Sequence, residues 1–347
     1  MRTPFLATAI LLLASTCLAQ RPSRTLRSTR SDVNREEWNA DQLHRELVRL
    51  DLESRKIAVR YEKNNRGEYE FYCDNRSFSD YTIEVDFPEF VNLQASFPLP
   101  AVNVVPPGSH LMFTLRKATG GTPARFRYHY RSYKGRPSPN IDSNFTYLLP
   151  IAPGKETRIY ELSYIGEKYG DESAPKDWYA LSLHTDEGDT VYAARRGRVT
   201  DISDNANLQD SNYTYSHSEN FVEIEHNDYT FGKYTVFRDG AIFVHPGELV
   251  EAGQPLGIAG GEKYTGGPQV RFCVFYQLRQ DALDKEGNST GKTHYWAYVP
   301  IRFWTKDTGR IRLTNKASYT SEDPEDVITK EMTKKEAKKW KEAHKAS

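Results

Sequence analysis

The clearest pattern in this chain is an alternation of apolar and polar residues with a period of two. Large apolar side chains recur at every second position in Ile57, Val59 and Tyr61, a turn follows at 64–67, and the same period resumes with Tyr69, Phe71 and Cys73. This pattern predicts a β-hairpin. The next predicted strands are Tyr81–Phe87, Val102–Val105, His110–Leu115 and Ala124–Tyr133. Short strands at this spacing, without a long helix, are typical of an immunoglobulin-like β-sandwich, which we predict for residues 56–146.

A second β-rich region follows, in which short apolar runs are again bounded by turn residues. Its predicted strands are Thr157–Tyr164, Trp178–Leu183, Val191–Ile202, Asn220–His226, Thr230–Arg238, Pro255–Ala259, Val270–Gln277 and Val299–Trp304. We therefore predict a second antiparallel β domain over residues 147–313, and an all-β fold for the protein.

The two ends of the chain have different patterns. Residues 1–19 have a basic start, an apolar centre and small residues at the end, which is typical of a secretory signal peptide. Residues 20–37 have almost no apolar side chains and are predicted to be a flexible linker. Leucines at helical spacing predict a short helix over 38–55. Residues 314–347 are charged and are predicted to be a surface tail, partly helical from Asp326 to Ala343.

The length of the apolar leader and the balance of charged residues restrict the functions that the sequence supports. The apolar centre of the leader is shorter than the roughly 20 residues that span a bilayer, so we expect an exported chain without a transmembrane segment after cleavage. Lys plus Arg equals Asp plus Glu, at 47 each in 347 residues. This balance provides no overall field for nucleic acid, and nucleic-acid binding is not expected. The basic clusters at 21–30 and 333–345 are interpreted as solvated tails that could contact anionic cell-wall polymers or lipid.

Two cysteines remain once the leader is removed, Cys73 and Cys273. An even pair in an exported protein permits one disulfide. Two separate buried thiols are equally compatible with the sequence. Two cysteines do not support a thiolate metal cage.

Five ordered segments of the second domain resemble the lysostaphin/LytM family of zinc endopeptidases. They are YALSL (Tyr179–Leu183), EGDTVYAARRGRV (Glu187–Val199), NFVEIEH (Asn220–His226), PGELVEAGQPLG (Pro246–Gly257) and TGGPQVRFCV (Thr265–Val274). The family counterparts of the first and last often read YALDF and STGPHLHFEV. The resemblance implies a LytM-type β domain, a fold also described as a duplicated hybrid motif.

The same resemblance implies that the zinc ligands of the family are missing here. Family members bind zinc through a His, an Asp and the second His of an H-x-H motif, and two further histidines assist catalysis. In this sequence the Asp position is Ser182 and the H-x-H ligand is Arg271, while the assisting histidines fall on Gln269 and Val236. The stretch before Ser182, which includes Trp178, contains no histidine. Because a guanidinium is permanently charged, it repels a metal ion, and we expect neither bound zinc nor another cofactor.

A second interpretation stays open because of two residues close to Ser182. His184 would lie on the same face of a strand as Ser182, and Asp186 follows it, so the two could contribute to a relocated zinc site. The chain would then be an active zinc-dependent peptidoglycan endopeptidase. An exposed histidine at the end of a strand is the simpler explanation.

The resemblance implies an exported, catalytically inactive LytM-like protein in the periplasm or outer envelope of a bacterium. We expect it to bind peptidoglycan, or to bind and regulate a cell-wall hydrolase or another envelope protein. A groove formed by Trp178, Ser182, Gln269 and Arg271 would offer hydrogen-bond donors to an anionic or amide-rich partner. A structural role in the envelope or in a secretion machinery is the third hypothesis.

Overall fold

The structure is a computed structural model that describes residues 55–164, 175, 177–206, 213, 219–280 and 294–344. The predicted signal peptide and linker, and all but the last residue of the predicted N-terminal helix, lie outside the described residues. The strands are β1 (Ile57–Lys63), β2 (Tyr69–Asn75), β3 (Tyr81–Val91), β4 (Leu93–Gln94), β5 (Ala101–Val105), β6 (Gly108–Lys117), β7 (Arg125–Lys134), β8 (Thr146–Tyr147), β9 (Glu156–Glu161), β10 (Ala180–His184), β11 (Thr190–Tyr192), β12 (Gly197–Ser203), β13 (Phe221–Glu225), β14 (Phe231–Thr235), β15 (Phe237–Ile242), β16 (Leu249–Val250), β17 (Pro255–Ala259), β18 (Gln269–Arg279), β19 (His294–Tyr298), β20 (Arg302–Thr305), β21 (Gly309–Ile311) and β22 (Ser318–Thr320). The helices are α1 (Glu325–Ile328) and α2 (Lys334–His344).

Strands β1 to β7 form a sandwich of two antiparallel sheets. One sheet has the order β1–β2–β6–β4 and the other has the order β5–β3–β7. The inward side chains of both sheets share one core, in which Phe71, Ile83 and Leu115 are completely buried. The predicted hairpin is the β1–β2 pair, with Ile57 opposite Asn75. The alternating pattern therefore located both the sandwich and its first hairpin.

The second region is built on a nine-stranded sheet with the order β16–β12–β13–β14–β18–β10–β9–β22, to which β19 is added beside β18. Strand β18 is its centre, since it pairs with β14, β10 and β19. Val270, Phe272 and Val274 of this strand enter the core. Because side chains alternate along a strand, Gln269 and Arg271 lie on the opposite, outer face. The predicted all-β fold is confirmed, and the outer face of this sheet carries the candidate site.

One strand boundary differs from the sequence prediction at a point that matters for the site. The predicted strand Thr230–Arg238 is two strands, β14 and β15, separated at Val236, whose φ is 72°. The backbone N–H of Val236 donates to the carbonyl of Asn220 at 3.0 Å, and its own carbonyl accepts from Gly260 at 2.7 Å. These bonds redirect the chain from the nine-stranded sheet into a smaller sheet with the order β11–β17–β15.

The charged tail is packed, whereas the sequence favoured an exposed one. Strand β22 pairs with β9, and α1 buries Val327 and Ile328 against Leu148 and Ala252. The predicted helix exists as two helices, because residues 329–333 between α1 and α2 form turns. No helix within the described residues is long and apolar enough to cross a lipid bilayer.

The sandwich packs against one end of the outer face of the large sheet. Lys134 of β7 forms an ion pair with Glu223 of β13. The Thr82 hydroxyl donates to the Gln277 side-chain oxygen at 3.0 Å, in a buried contact. Gln277 lies at the far end of β18 from Gln269. The sandwich therefore contacts the sheet away from the substituted positions Gln269 and Arg271.

Candidate functional site

Strands β10 and β18 bring three of the substituted positions together. Ser182 lies directly opposite Arg271 in the antiparallel register. The Ser182 hydroxyl donates to Oε1 of Gln269 at 2.5 Å, and Nε of Arg271 donates to the same oxygen at 3.4 Å. Ser182 and Gln269 are both buried. A single amide oxygen thus links the hydroxyl and the guanidinium that stand where the resemblance expects metal ligands.

The charge of Arg271 has an internal partner. Its Nη1 donates to Oε1 of Glu219 at 2.8 Å, and the two side chains are only 12% and 10% exposed. The Tyr264 hydroxyl donates to the same carboxylate oxygen at 3.0 Å, and the Arg271 guanidinium lies 4.9 Å from the centre of the Tyr264 ring. Glu219 and Tyr264 were not predicted as site residues, because nothing in their local pattern connects either residue to Arg271. We call Ser182, Gln269, Arg271, Glu219 and Tyr264 the cleft cluster.

Val236 borders the cleft cluster and has a strained backbone. Its neighbour Thr235 lies opposite Arg271 in the register of β14 with β18. A positive φ is rare for a β-branched residue, because Cβ crowds the backbone. Burial of the side chain and the two backbone hydrogen bonds described above hold this conformation. Strain of this kind is often found beside functional sites, and here it shapes the wall of a cleft.

The cleft has a volume of about 350 Å³ and is lined by Val236, Glu219 and Tyr264 among others. Its charged lining consists of the carboxylates Glu187, Glu219, Asp239 and Glu262 and the cations Arg238 and Lys263. Arg238 pairs with Glu262 at 2.8 Å and lies 3.6 Å from Glu187. Carboxylates therefore outnumber cations in the lining, and the cleft favours neutral or positively charged groups over anions.

Trp178 lies apart from the cleft cluster. Its indole N–H donates to the carbonyl of Leu162 at 2.6 Å, and its ring packs edge-on against Tyr164 and Tyr298. The register of β10 with β18 runs from Ala180 opposite Cys273 to His184 opposite Gln269. Trp178 precedes Ala180, so it lies towards the other end of the strand pair.

His184 and Asp186, the residues of the possible relocated zinc site, are both exposed. The His184 side chain is exposed at the end of β10. The Asp186 carboxylate pairs with the ammonium of Lys155 at 2.8 Å, and this hydrogen bond and charge lower the pKa of Asp186. Within the described ranges, no three His, Cys, Asp or Glu side chains are grouped closely enough to hold a metal ion.

The donors of the cleft cluster do not fit zinc. Zinc sites in proteins use thiolates, imidazoles and carboxylates. The cluster offers the Ser182 hydroxyl and the Gln269 amide, and its one carboxylate is bound to Arg271. The guanidinium of Arg271 is permanently charged, and its Nε lies 3.4 Å from the amide oxygen of Gln269. A positive charge in this position repels a divalent cation.

The cysteines are separate free thiols, and no disulfide joins them. Cys73 lies in the core of the sandwich, and Cys273 lies on β18. Burial raises the pKa of each thiol to about 12. Of the two interpretations left open by the sequence, the structure shows the one with two separate thiols, of which Cys73 is buried and Cys273 is half-buried.

Residues 176–284 match the model of peptidase family M23. The resemblance to lysostaphin/LytM-type peptidases is therefore confirmed for this part of the chain, which includes β10 to β18. The comparison with curated proteins gave no match.

Several solved structures are similar over part of the chain. The catalytic domain of the antimicrobial peptidase lysostaphin from Staphylococcus simulans is 19% identical, covering 38% of this chain and 79% of that one, with a TM-score of 0.24. A putative peptidase M23 from Pseudomonas aeruginosa is 14% identical, covering 63% and 87%, with a TM-score of 0.26. A chain of the SpoIIQ–SpoIIIAH pore forming complex is 20% identical, covering 38% of this chain and 83% of that one, with a TM-score of 0.25. Because these TM-scores are low, the similarity to peptidase family M23 rests on the match of residues 176–284 to the family model.

Proposed function

We propose, from the peptidase family M23 domain at residues 176–284, that this chain is an exported envelope protein that binds peptides without hydrolysing them through zinc. The observation that supports this most directly is the ion pair of Arg271 with Glu219 beside Ser182 and Gln269. Export is proposed from the signal-like residues 1–19. The proposal assigns to the cleft the role of a recognition site.

Hydrolysis of a peptide by this fold needs a metal that acidifies water and a base that accepts its proton. Arg271 cannot act as a base, because its guanidinium remains protonated in proteins. The Ser182 proton is already donated to Gln269, and Glu219 is bound to Arg271 and Tyr264. Glu219 and Tyr264 line the cleft, where they can accept a hydrogen bond from, or donate one to, a backbone amide. None of these groups replaces a zinc-bound water.

The charges of the cleft select between the two partner chemistries expected from the sequence. An anionic partner would be attracted by Arg271, but the carboxylate of Glu219 neutralises that charge. Carboxylates also predominate in the cleft lining. An amide-rich peptide that carries an amino group fits better, since carboxylates accept hydrogen bonds from ammonium groups. Peptidoglycan stem peptides have this chemistry, and we propose them as the ligand.

Retention on isolated peptidoglycan sacculi tests this proposal. Asp239 lines the cleft with an exposed side chain, so Asp239→Trp would fill the cleft without changing the core. Asp307→Trp is the matched control, because Asp307 is exposed in the turn between β20 and β21. We expect sacculi to retain the unmodified chain and the control, and to lose the Asp239→Trp variant.

Equal retention of all three proteins would contradict binding through the cleft. Absence of retention for the unmodified chain would contradict the choice of peptidoglycan as ligand. A structural role in the envelope would then be favoured over a peptide-binding one.

A further inference from the structure

Helix α2 presents two chemically different faces. Lys334, Lys335, Lys338 and Lys339 are exposed and follow one another at spacings of one and three residues, which places them on one side of the helix. The carboxylate on that side is Glu342, which lies 3.9 Å from Lys338 with both side chains largely exposed. Such an exposed ion pair contributes little to the free energy of folding. The outer face of α2 is therefore strongly basic, in a chain whose total charge is zero.

The opposite face of α2 is fixed to the M23 domain. Glu336 accepts hydrogen bonds from Nη1 and Nη2 of Arg196 at 3.1 and 2.9 Å. Trp340 packs against the cluster that contains Val327 and Ile328. The helix also begins with a capping box, in which the N–H of Thr333 donates to the Glu336 carboxylate at 2.7 Å and the Glu336 N–H donates to the Thr333 hydroxyl at 3.3 Å. The lysines thus project from a rigid, oriented helix rather than from a loose tail.

We propose that this lysine face docks on a membrane surface rich in anionic lipid. Four lysines on one face of a helix provide the charge density that attracts anionic headgroups. The lysine face has no arginine or aromatic side chain, whereas recognition of single-stranded nucleic acid uses aromatic stacking. A flat anionic surface can reach all four ammonium groups at once. This inference is independent of the peptide-binding proposal, because α2 contributes no residue to the cleft lining.

Sedimentation of the full chain with lipid vesicles tests the proposal. The vesicles contain equal parts of phosphatidylglycerol and phosphatidylcholine, and vesicles of phosphatidylcholine alone are the neutral comparison. Replacing the four lysines with alanine should weaken binding by about fivefold per lysine, or a few hundredfold in total. Alanine is a strong helix former, so the variant should keep α2, and a thermal melt checks this.

A second quadruple variant controls for net charge. It replaces the exposed Lys56, Lys63, Lys117 and Lys306 with alanine, and it should bind the anionic vesicles as the unmodified chain does. Binding of the unmodified chain should also fall steeply as salt is added. Equal losses in both variants, or no binding of the unmodified chain to anionic vesicles, would overturn the proposal. Binding to soluble polyphosphate without binding to vesicles would overturn it as well.

Discussion

Two arginine clusters, centred on Arg195 and Arg271, differ in their burial and in their surroundings. In the cleft cluster, Arg271 pairs with the carboxylate of Glu219, which lines the cleft. The second cluster, which we call the buried cluster, consists of Arg195, Tyr147, Asp228 and Glu331. Arg195 is 2% exposed and donates to Asp228 at 3.0 Å, to Tyr147 at 3.0 Å and to both oxygens of Glu331 at 2.8 and 3.1 Å.

The difference shows how position decides the role of an arginine. Arg195 satisfies its donors with groups from three separate segments, and through Glu331 it attaches the C-terminal segment to the domain. Burial, and then the charge of Arg195, lower the pKa of the neighbouring His226 well below its usual range. A neutral His226 shares a hydrogen bond of 2.9 Å between Nδ1 and the Thr230 hydroxyl. The buried cluster is therefore structural, whereas Glu219 and Tyr264 of the cleft cluster line a cleft.

The largest loss of stability is expected from Arg195→Ala. The substitution leaves the buried carboxylates of Asp228 and Glu331 without their cation, which should lower the free energy of unfolding by about 3–5 kcal/mol. Denaturation with urea measures the change. The exposed Arg66 provides a control, since Arg66→Ala should change the free energy of unfolding by less than about 0.5 kcal/mol. Similar losses for the two variants would contradict the structural role of the buried cluster.

A smaller effect is expected from Arg271→Ala. Glu219 would keep the hydrogen bond from Tyr264 and lie next to the solvent of the cleft, so the loss should be about 1–2 kcal/mol. A double-mutant cycle with Glu219→Ala should give a coupling energy of about 0.5–3 kcal/mol, because the two groups are in direct contact. A coupling energy of zero would show that the ion pair does not form in solution.

A further prediction concerns the pH dependence of stability, through a carboxylate at the junction with the sandwich. Burial raises the pKa of Glu225 to about 7, and the nearby Asp80 and Glu223 act in the same direction. The folded state therefore binds a proton more tightly than the unfolded state, so stability should fall as the pH rises from 4.5 to about 7. Glu225→Gln should remove this pH dependence in denaturation measured across that range. If stability depended on pH in the same way in the unmodified chain and in the Glu225→Gln variant, the buried environment assigned to Glu225 would be contradicted.

Much of the fold was predictable from local pattern. The hairpin of β1 and β2 follows from the period of two, and β17 has the predicted bounds Pro255–Ala259. Both depend on residues that are neighbours in the chain. The break at Val236 was not predictable, because a β-branched residue in an apolar run favours a continuous strand.

The chemistry of the site was predictable only in part. The pairing of β10 with β18 brings Ser182, Gln269 and Arg271 together, as the resemblance implied. The partner of Arg271 was missed, since Glu219 lies 52 residues away along the chain and precedes a strand with an ordinary pattern. The packing of the tail was missed for the same reason, because Arg195 and Glu331 are 136 residues apart. Contacts of this kind depend on tertiary structure and leave no local signal.

The most direct test of the account is the zinc content of the purified full chain, measured together with peptide release from peptidoglycan in a buffer that supplies zinc. We expect substoichiometric zinc and no release of peptides, with the same result for His184→Ala. Stoichiometric zinc with peptide release, both lost in the His184→Ala variant, would contradict this expectation and establish the relocated metal site.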